Sequence, residues 1–504
     1  MKVAYFLDIP IGLGGAGNLL LQQAVLMSEL YDVIIVIPED QDGNYNLEYA
    51  SRCERYNMPY KRIRYNTAFQ FSMIDVMEAT RSVCDIERFV REEKIGLFHS
   101  VQLNVAVEYV SRKLRIPHLM DIYQLQENEF KICSQDIYPQ YHLCDSMLYS
   151  NCWSKQLEIT SRCVRPVAPL ENIKKKEVHS KERLKILMLG SVCERKNQLT
   201  AIKAVEECKS LGKNVELHIA GSLDNDYAEE CRMYASERDL GRAVTFYGFV
   251  SNIIPLLESC DCILCASNDE SFPSSLVEAL TYGLTVISTP VAGVPEIFID
   301  KVNAFISTDF SVKGIRESIL DGMMYYKTGK IVDIHENVER TWKDNFERSL
   351  VRGQIDSYYK EIITNGFYKS TQPFLTAREE AQQIAVLLEG IDDEGEKWIH
   401  QKYLYYALIR KQLSHGKIYI WGAGKLGRLA VTILERICPE LKIMAFIDSC
   451  KKGFYFGKKV VGIEDIPIQK EQFYSISFGR NREEAISVLR KKGIELSEQL
   501  WVIP

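Results

Sequence analysis

Residues 268–280 read NDESFPSSLVEAL. Two acids, Glu270 and Glu278, have seven residues between them. Pro273 stands where a helix begins: its fixed φ suits the first helical position, and its missing N–H would have been unpaired there anyway. Ser274, Ser275 and Leu276 then offer backbone N–H groups without an intrahelical acceptor, a ready site for a phosphate. Glu278 follows roughly 7–8 Å along the helix axis. One carboxylate therefore precedes the helix mouth and one lies on its first turns. Carboxylates bind phosphate poorly but accept well from sugar and ribose hydroxyls, so the stretch suits a nucleotide-sugar. A solvated amphipathic helix could carry two acids at the same spacing. The surroundings decide against it, because the strand CILCAS precedes the stretch and TYGLTVISTPVAGVPE follows.

Outward from this point, alternating strands and helices fill the chain. The first half holds VAYFLDI, DVIIVIP, GLFHSV, HLMDIY and SMLYS, which read as buried parallel strands. Between them lie segments such as NLLLQQAVLMSEL, apolar at helical spacing. The stretch ENIKKKEVHSKERLK is charged and reads as an exposed linker. A second series follows: KILMLGS, VELHIAG, VTFYGF, CILCAS, TVISTP and AFIST. Two doubly wound α/β units in succession can enclose a cleft. With 504 residues there is room for three or four domains. The net charge of −6 argues against a nucleic-acid partner. No apolar run reaches the ~20 residues of a membrane helix. Fourteen cysteines in a chain that opens on a strand and a glycine loop fit a reducing cytoplasm, and the expected location is cytoplasmic, at most peripheral to the inner face of the plasma membrane.

Two glycine loops have the G-x-G-x-x-G spacing. The first uses Gly12, Gly14 and Gly17, with Glu39 after the next strand. Asp8, Ile9, Pro10 and Ile11 separate it from its strand, too many for the tight dinucleotide turn. Gly14, Gly15 and Gly17 would let backbone come close to a ligand without side-chain clash, a reading favoured over NAD binding, with a plain tight loop as the alternative. The second loop belongs to the tail. In GSVCERKNQ, Arg195 and Lys196 stand at a helix entry, where two cations can neutralise a diphosphate. Arg52, Arg55, Lys61, Arg62 and Arg64 form a basic run, read as solvated surface with anionic lipid as the alternative. His99 and His118 are candidate cleft residues. Cys260, Cys262 and Cys265 lack a second ligand pair and read as core, so no metal is assigned.

The E-x7-E stretch, with the lysine at 196 and the Gly293–Glu296 turn (glycine, one residue, proline, glutamate), resembles retaining glycosyltransferases of family four, which have the GT-B fold. The resemblance spans roughly the first 360 residues and is strongest from Lys185 to Thr308. It implies two facing Rossmann-like domains with a cleft between them, 1–170 on the acceptor side and 171–363 on the donor side, with final helices crossing back. It implies metal-independent transfer with retention, from a nucleotide-sugar (UDP-sugar foremost) to a glycan or lipid-linked acceptor of cell-surface polysaccharide. Glu270, Lys196 and Arg195 would be catalytic. Glu278, Ser274, Ser275, Leu276, Gly14, Gly15, Gly17, Gly293 and Glu296 would bind donor. Three positions depart from the family pattern: Ser191 replaces an arginine, Tyr123 stands near an expected histidine, and Ala304 replaces a glycine. A GT-B nucleotide-sugar epimerase and a non-catalytic nucleotide-sugar-binding protein are the alternatives.

The remainder reads as a helical connector, 364–413, and a small Rossmann-like domain, 414–504. There KIYIW runs directly into Gly422, Gly424 and Gly427, and Asp448 ends the next strand, 24 residues after Gly424. This is the better dinucleotide fingerprint; it reads either as a site for NAD or another nucleotide or as a tight turn that serves plain helix–strand packing. The region resembles small Rossmann-like domains appended to polysaccharide-biosynthesis enzymes.

Overall fold

A computed structural model describes the chain except residues 9–14, 41, 69–75, 125–140, 158, 170–172, 175, 177–179, 367–382, 392–398, 400–409, 411–412, 414–415, 467–471, 477–481, 494–499 and 503–504. Gly12 and Gly14 lie outside the described residues, as do most of the expected connector and six residues of the expected linker.

Three sheets organise the described residues. The first has seven parallel strands in the spatial order Tyr60–Arg64, Asp32–Glu39, Lys2–Phe6, Ile95–Val101, His118–Asp121, Tyr141–Cys144, Thr160–Cys163. The second has six, ordered Val244–Gly248, Asn214–Ala220, Arg183–Leu189, Cys262–Cys265, Thr285–Ser288, Phe305–Ile306, again parallel. Runs such as Val33 to Ile37 are buried on both faces, as aliphatic strands under two helix layers must be. Each order reverses between its first and fourth strands, the switch point where a doubly wound sheet opens a crevice at its carboxyl ends. The two facing α/β units make this a GT-B architecture.

Two local expectations change. SMLYS is not a strand. The strand is the preceding Tyr141–Cys144, and Met147 opens a helix to Leu157. Ser146 decides this, because its Oγ accepts from the Tyr149 N–H at 3.2 Å, a cap that starts a helix. In the basic run, Lys61, Arg62 and Arg64 lie on the edge strand Tyr60–Arg64. Arg62 pairs with Glu39 at 3.2 Å and Arg64 grips Glu78 at 2.7 and 3.0 Å. Much of that charge is therefore matched internally.

The helix Arg348–Asn365 returns to the first sheet, as expected. Its Val351, Ile355, Tyr358, Tyr359 and Ile362 join Val3, Tyr5 and Leu97 in one apolar cluster. Burying each large side chain contributes about 1.5–3 kcal/mol, so this helix ties the second α/β unit to the first domain. Tyr359 also ends a buried hydrogen-bonded chain. Its hydroxyl meets Tyr5 at 2.5 Å and His99 Nδ1 at 2.6 Å; His99 Nε2 meets Asp121 at 2.7 Å; Asp121 accepts from Tyr123 at 2.8 Å. His99 is thus part of a scaffold. So is His118, held between Glu108 and Ser100 at 2.7 Å each.

The third sheet has the order Gly453–Tyr455, Lys458–Val461, Lys442–Ile447, Lys417–Trp421, Gln472–Ile476, Leu500–Val502. Only its outermost pair, Gly453–Tyr455 with Lys458–Val461, is antiparallel. Apolar residues of this unit, among them Ile418, Ile420 and Ile433, belong to the same cluster as Phe6, Phe98 and Val110 of the first domain, with Ile384 and Leu388. The tail is packed onto the first domain.

Candidate active site

Both switch points open onto one cavity of about 490 Å³. Asp8 follows the Lys2–Phe6 strand and Gln102 follows Ile95–Val101; Gly190 and Ser191 follow Arg183–Leu189, and Asp269 to Ser271 follow Cys262–Cys265. A second cavity of about 750 Å³ adjoins it and shares Leu189, Gly190, Ser191 and Glu278. Its walls come from Tyr45 to Glu48 on one side and from Ala220, Gly221, Phe249 and Ile253 on the other.

Local backbone brings the acids and cations together. The Ser274–Thr281 helix has Pro273 as its N-cap, with φ −70° and ψ 103°, one position earlier than expected. Ser274 and Ser275 line the cavity. Leu276 departs from expectation: its N–H already donates to the Pro273 carbonyl at 3.0 Å, and its side chain is fully buried. Glu270 receives Arg195 at 2.6 Å and Lys196 at 2.5 Å, both on Oε1. Asn197, in the left-handed region at φ 57°, turns the chain directly after the two cations. Burial raises the Glu270 pKa, but Lys196 and Arg195 outweigh it and hold the carboxyl below its usual range. Glu278 behaves oppositely. Burial pushes it up, with Arg52 and Lys196 opposing only in part. Glu270, Glu278, Arg195, Lys196, Ser274 and Ser275 therefore share one cavity, as their sequence pattern suggested. Ser191 lines it in the place of the absent arginine, and Tyr123 does so from the first domain.

Gly15 borders the same space, with nothing within 4 Å of where a Cβ would stand. Gly17 differs: a Cβ there would lie 1.9 Å from Asp8 Oδ1 and 2.1 Å from the Tyr49 hydroxyl. Its role is to let the Asp8 carboxylate touch the start of the helix Gly15–Met27.

Gly293 and Glu296 are not in the cavity. Both close the seam between the two domains. Glu296 accepts from the Met147 and Leu148 N–H groups at 2.8 Å each and pairs with Arg165 at 2.6 Å. A carboxylate at a helix N-terminus is stabilised by the unpaired N–H groups and the macrodipole. Here the helix belongs to the first domain and the acid to the second. Gly293 is where backbones meet too closely for a side chain: a Cβ would stand 2.8 Å from Ser146 Cβ and from the Ser271 carbonyl. Tyr149 donates to Asp269 at 2.8 Å across the same seam. Tyr149, Arg165 and Ser146 had no motif to announce them.

Asp8, Gln102 and Asp145 line the cavity from the first domain and were not singled out either. Each stands within two residues of a strand's carboxyl end in a doubly wound sheet. That position was the signal available in the sequence.

In the tail, a separate cavity of about 420 Å³ is lined by Gly422, Gly424, Lys425, Asp448 and Lys451. Gly422 has φ +111°, and a Cβ on Gly427 would lie 1.8 Å from the Gly422 carbonyl oxygen, so both glycines are required by the turn. Asp448 is already hydrogen-bonded to backbone. Its oxygens accept from the N–H groups of Ala423, Cys450 and Lys451, all at 2.9 Å. Burial opposes ionisation there, but these bonds prevail and lower its pKa. The carboxylate ties the glycine loop to the turn after its own strand.

Comparisons with known proteins agree with this geometry. Residues 170–324 match the family model for Glycosyl transferases group 1. The chain is 29% identical over 112 residues to the capsular polysaccharide biosynthesis glycosyltransferase CapH of Staphylococcus aureus, covering 22% of this chain and 32% of that one. It is 28% identical over 156 residues to lipopolysaccharide 1,6-galactosyltransferase of Escherichia coli strain K12, covering 30% and 41%. The chain thus spans less than half the length of these curated relatives. Among solved structures, Anabaena HepE in complex with UDP and glucose superposes with a TM-score of 0.59 at 16% identity, over 72% of this chain and all of that one. Residues 170–324 accordingly form a glycosyl transferases group 1 domain, set in a GT-B fold.

Proposed function

We propose that the protein is a retaining, metal-independent glycosyltransferase of family four that moves a sugar from a UDP-sugar to a glycan or lipid-linked acceptor in cell-surface polysaccharide synthesis. One observation carries this reading. Glu270, Lys196, Arg195, Ser274, Ser275 and Glu278, scattered over 83 positions of sequence, line a single cavity at two facing switch points. Glu278 lies where the two cavities join and would hold the ribose hydroxyls. The base would occupy the larger cavity against Phe249 and Ile253. The diphosphate would lie at the Ser274–Ser275 mouth, drawing Lys196 and Arg195 from Glu270. Glu270, kept ionised, would then accept from a donor-sugar hydroxyl beside the reacting carbon. Stabilising charge as it develops on a leaving group contributes about 3–4 kcal/mol per well-placed donor. The names of CapH and the galactosyltransferase, and the UDP and glucose in HepE, support the same substrate class. In this reading residues 1–170 face the acceptor, 171–363 hold the donor, and 414–504 form an appended unit.

Thermal unfolding with UDP-, GDP- and ADP-sugars tests it. Ligand that binds only the native state raises the midpoint by mass action. The expected result is a rise with UDP-sugar that Glu278→Ala abolishes. No rise with any of the three donors overturns the reading. Release of nucleotide only when acceptor is added separates a transferase from an epimerase.

A further inference from the structure

The first-domain side of the cavity holds three buried oxygens with no hydrogen-bond partner among the described residues: Asp8 Oδ2, Gln102 Oε1 and Asp145 Oδ1. Their residues are 0, 3 and 3% exposed, and all three line the cavity. Buried acceptors in folded proteins are nearly always paired. Three unpaired ones on one wall of a substrate-sized cavity mark groups whose partner arrives from outside.

The wall is rigid. Tyr49 donates to the other Asp8 oxygen at 3.1 Å. Asp145 is held beside Ser271, and its own carbonyl accepts from Arg165 at 2.6 Å. The cations nearby are committed elsewhere: Arg195 and Lys196 to Glu270, and the second Arg165 nitrogen to Glu296. Burial lifts the Asp8 carboxyl to about 6 and the Asp145 carboxyl to about 7, as expected of acids that lack a neutralising partner.

Resting on the glycosyltransferase reading above, we propose that Asp8, Gln102 and Asp145 seat an uncharged, hydroxyl-rich sugar ring of the acceptor and exclude acceptors bearing an acid on that ring. Sugar hydroxyls bring the hydrogens these oxygens lack. The carboxylate of a uronate, or a phosphate group, adds only acceptors and a like charge, which raises the free energy of the complex beside buried, unpaired acceptors. The ring belongs to the acceptor because the wall lies in the domain opposite the Ser274–Ser275 mouth and Glu270, which hold the donor in that reading.

The test uses the full chain with saturating UDP and saturation-transfer NMR titrations of methyl α-D-glucopyranoside, methyl α-D-galactopyranoside and their two uronic-acid counterparts. The expected result is that at least one neutral glycoside binds about tenfold more tightly than its uronate, and that Gln102→Leu weakens it about tenfold. Asp145→Asn, nearly identical in shape and therefore compatible with the fold, narrows the preference over the uronate. Equal binding of neutral and acidic forms, no binding of either up to about 100 mM, a level above the millimolar range of weak complexes, or indifference to both substitutions overturns the inference. Displacement of the glycoside when UDP-glucose replaces UDP reassigns the ring to the donor and also overturns it. If UDP stabilises the protein while the glycosides fail, this inference falls alone; if UDP itself does not bind, the glycosyltransferase reading falls with it.

Discussion

The two walls of the cleft hold the same kinds of residue and treat them in opposite ways. On the wall from residues 189–278, the buried acid Glu270 has two cations within 2.6 Å, and its charge is matched before any substrate arrives. On the wall from residues 8–145, Asp8 and Asp145 keep unpaired oxygens, and burial outweighs their remaining hydrogen bonds and raises both pKa values. In the function proposed above, the first arrangement stores cations for an incoming diphosphate, and the second stores acceptors for incoming hydroxyls. Matched charge is cheap to maintain without ligand, whereas unmatched acids lower the stability of the empty protein.

Three experiments sharpen or break this contrast. The largest effect belongs to the charge-matched wall. Lys196→Ala is expected to lower kcat by about 10²–10³, while circular dichroism and the unfolding midpoint stay near wild type, since Arg195 still pairs with Glu270. A variant that turns over at near-normal rate removes Lys196 from the chemistry.

Next comes the unmatched wall. Asp145 has a folded-state pKa of about 7 against 3.8 when unfolded. Between those values the native state binds more protons than the unfolded state, so stability falls as pH rises through this window. Asp145→Asn keeps the shape without the charge. It is expected to raise the midpoint by a few degrees at pH 8, above that window, and to change it little at pH 3, below it. An equal shift at both pH values would mean that charge is not the cause.

The smallest effect falls on the seam that joins the walls. Glu296→Ala leaves the Met147 and Leu148 N–H groups to water and strips Arg165 of its acid. The expected loss is about 1 kcal/mol of stability, read by urea unfolding. A companion readout is a weaker apparent affinity for UDP, because the seam positions the loop that carries Glu270. Unchanged affinity with reduced stability would confine Glu296 to a structural role.

Legibility followed locality. Aliphatic runs such as DVIIVIP and CILCAS identified buried parallel strands because a strand covered on both faces leaves no room for polar alternation. The helix at Ser274 announced itself by Pro273, the glycine turns by spacing, and the cation pair by its place at a helix entry. SMLYS was misread because β-like composition and a capped helix compete over so short a stretch, and the Ser146 hydroxyl, backed by Glu296 from the other domain, settled it. The same contact explains Glu296: in sequence it follows a glycine and a proline like a ligand, and in space its partners are two N–H groups 148 and 149 positions away.

By itself, the sequence determined the α/β units, the order of strands and helices within them, and the chemical types gathered at each strand end, since these follow from periodicity, capping and turn chemistry over a few residues. It also announced the Gly422–Gly427 turn by its spacing after KIYIW, while the φ of +111° and the 1.8 Å approach that require glycine there came from the structure. Tertiary structure alone decided which charges are spent on one another. Asp448 accepts from Ala423, on the loop after another strand, and from two N–H groups of its own turn; Glu296 is taken up by the helix of another domain and Glu270 by two cations, while Asp8 and Asp145 each keep one unpaired oxygen. Pairing depends on distances between segments far apart in the chain, and a one-dimensional pattern carries no information about those distances until the sheets have stacked.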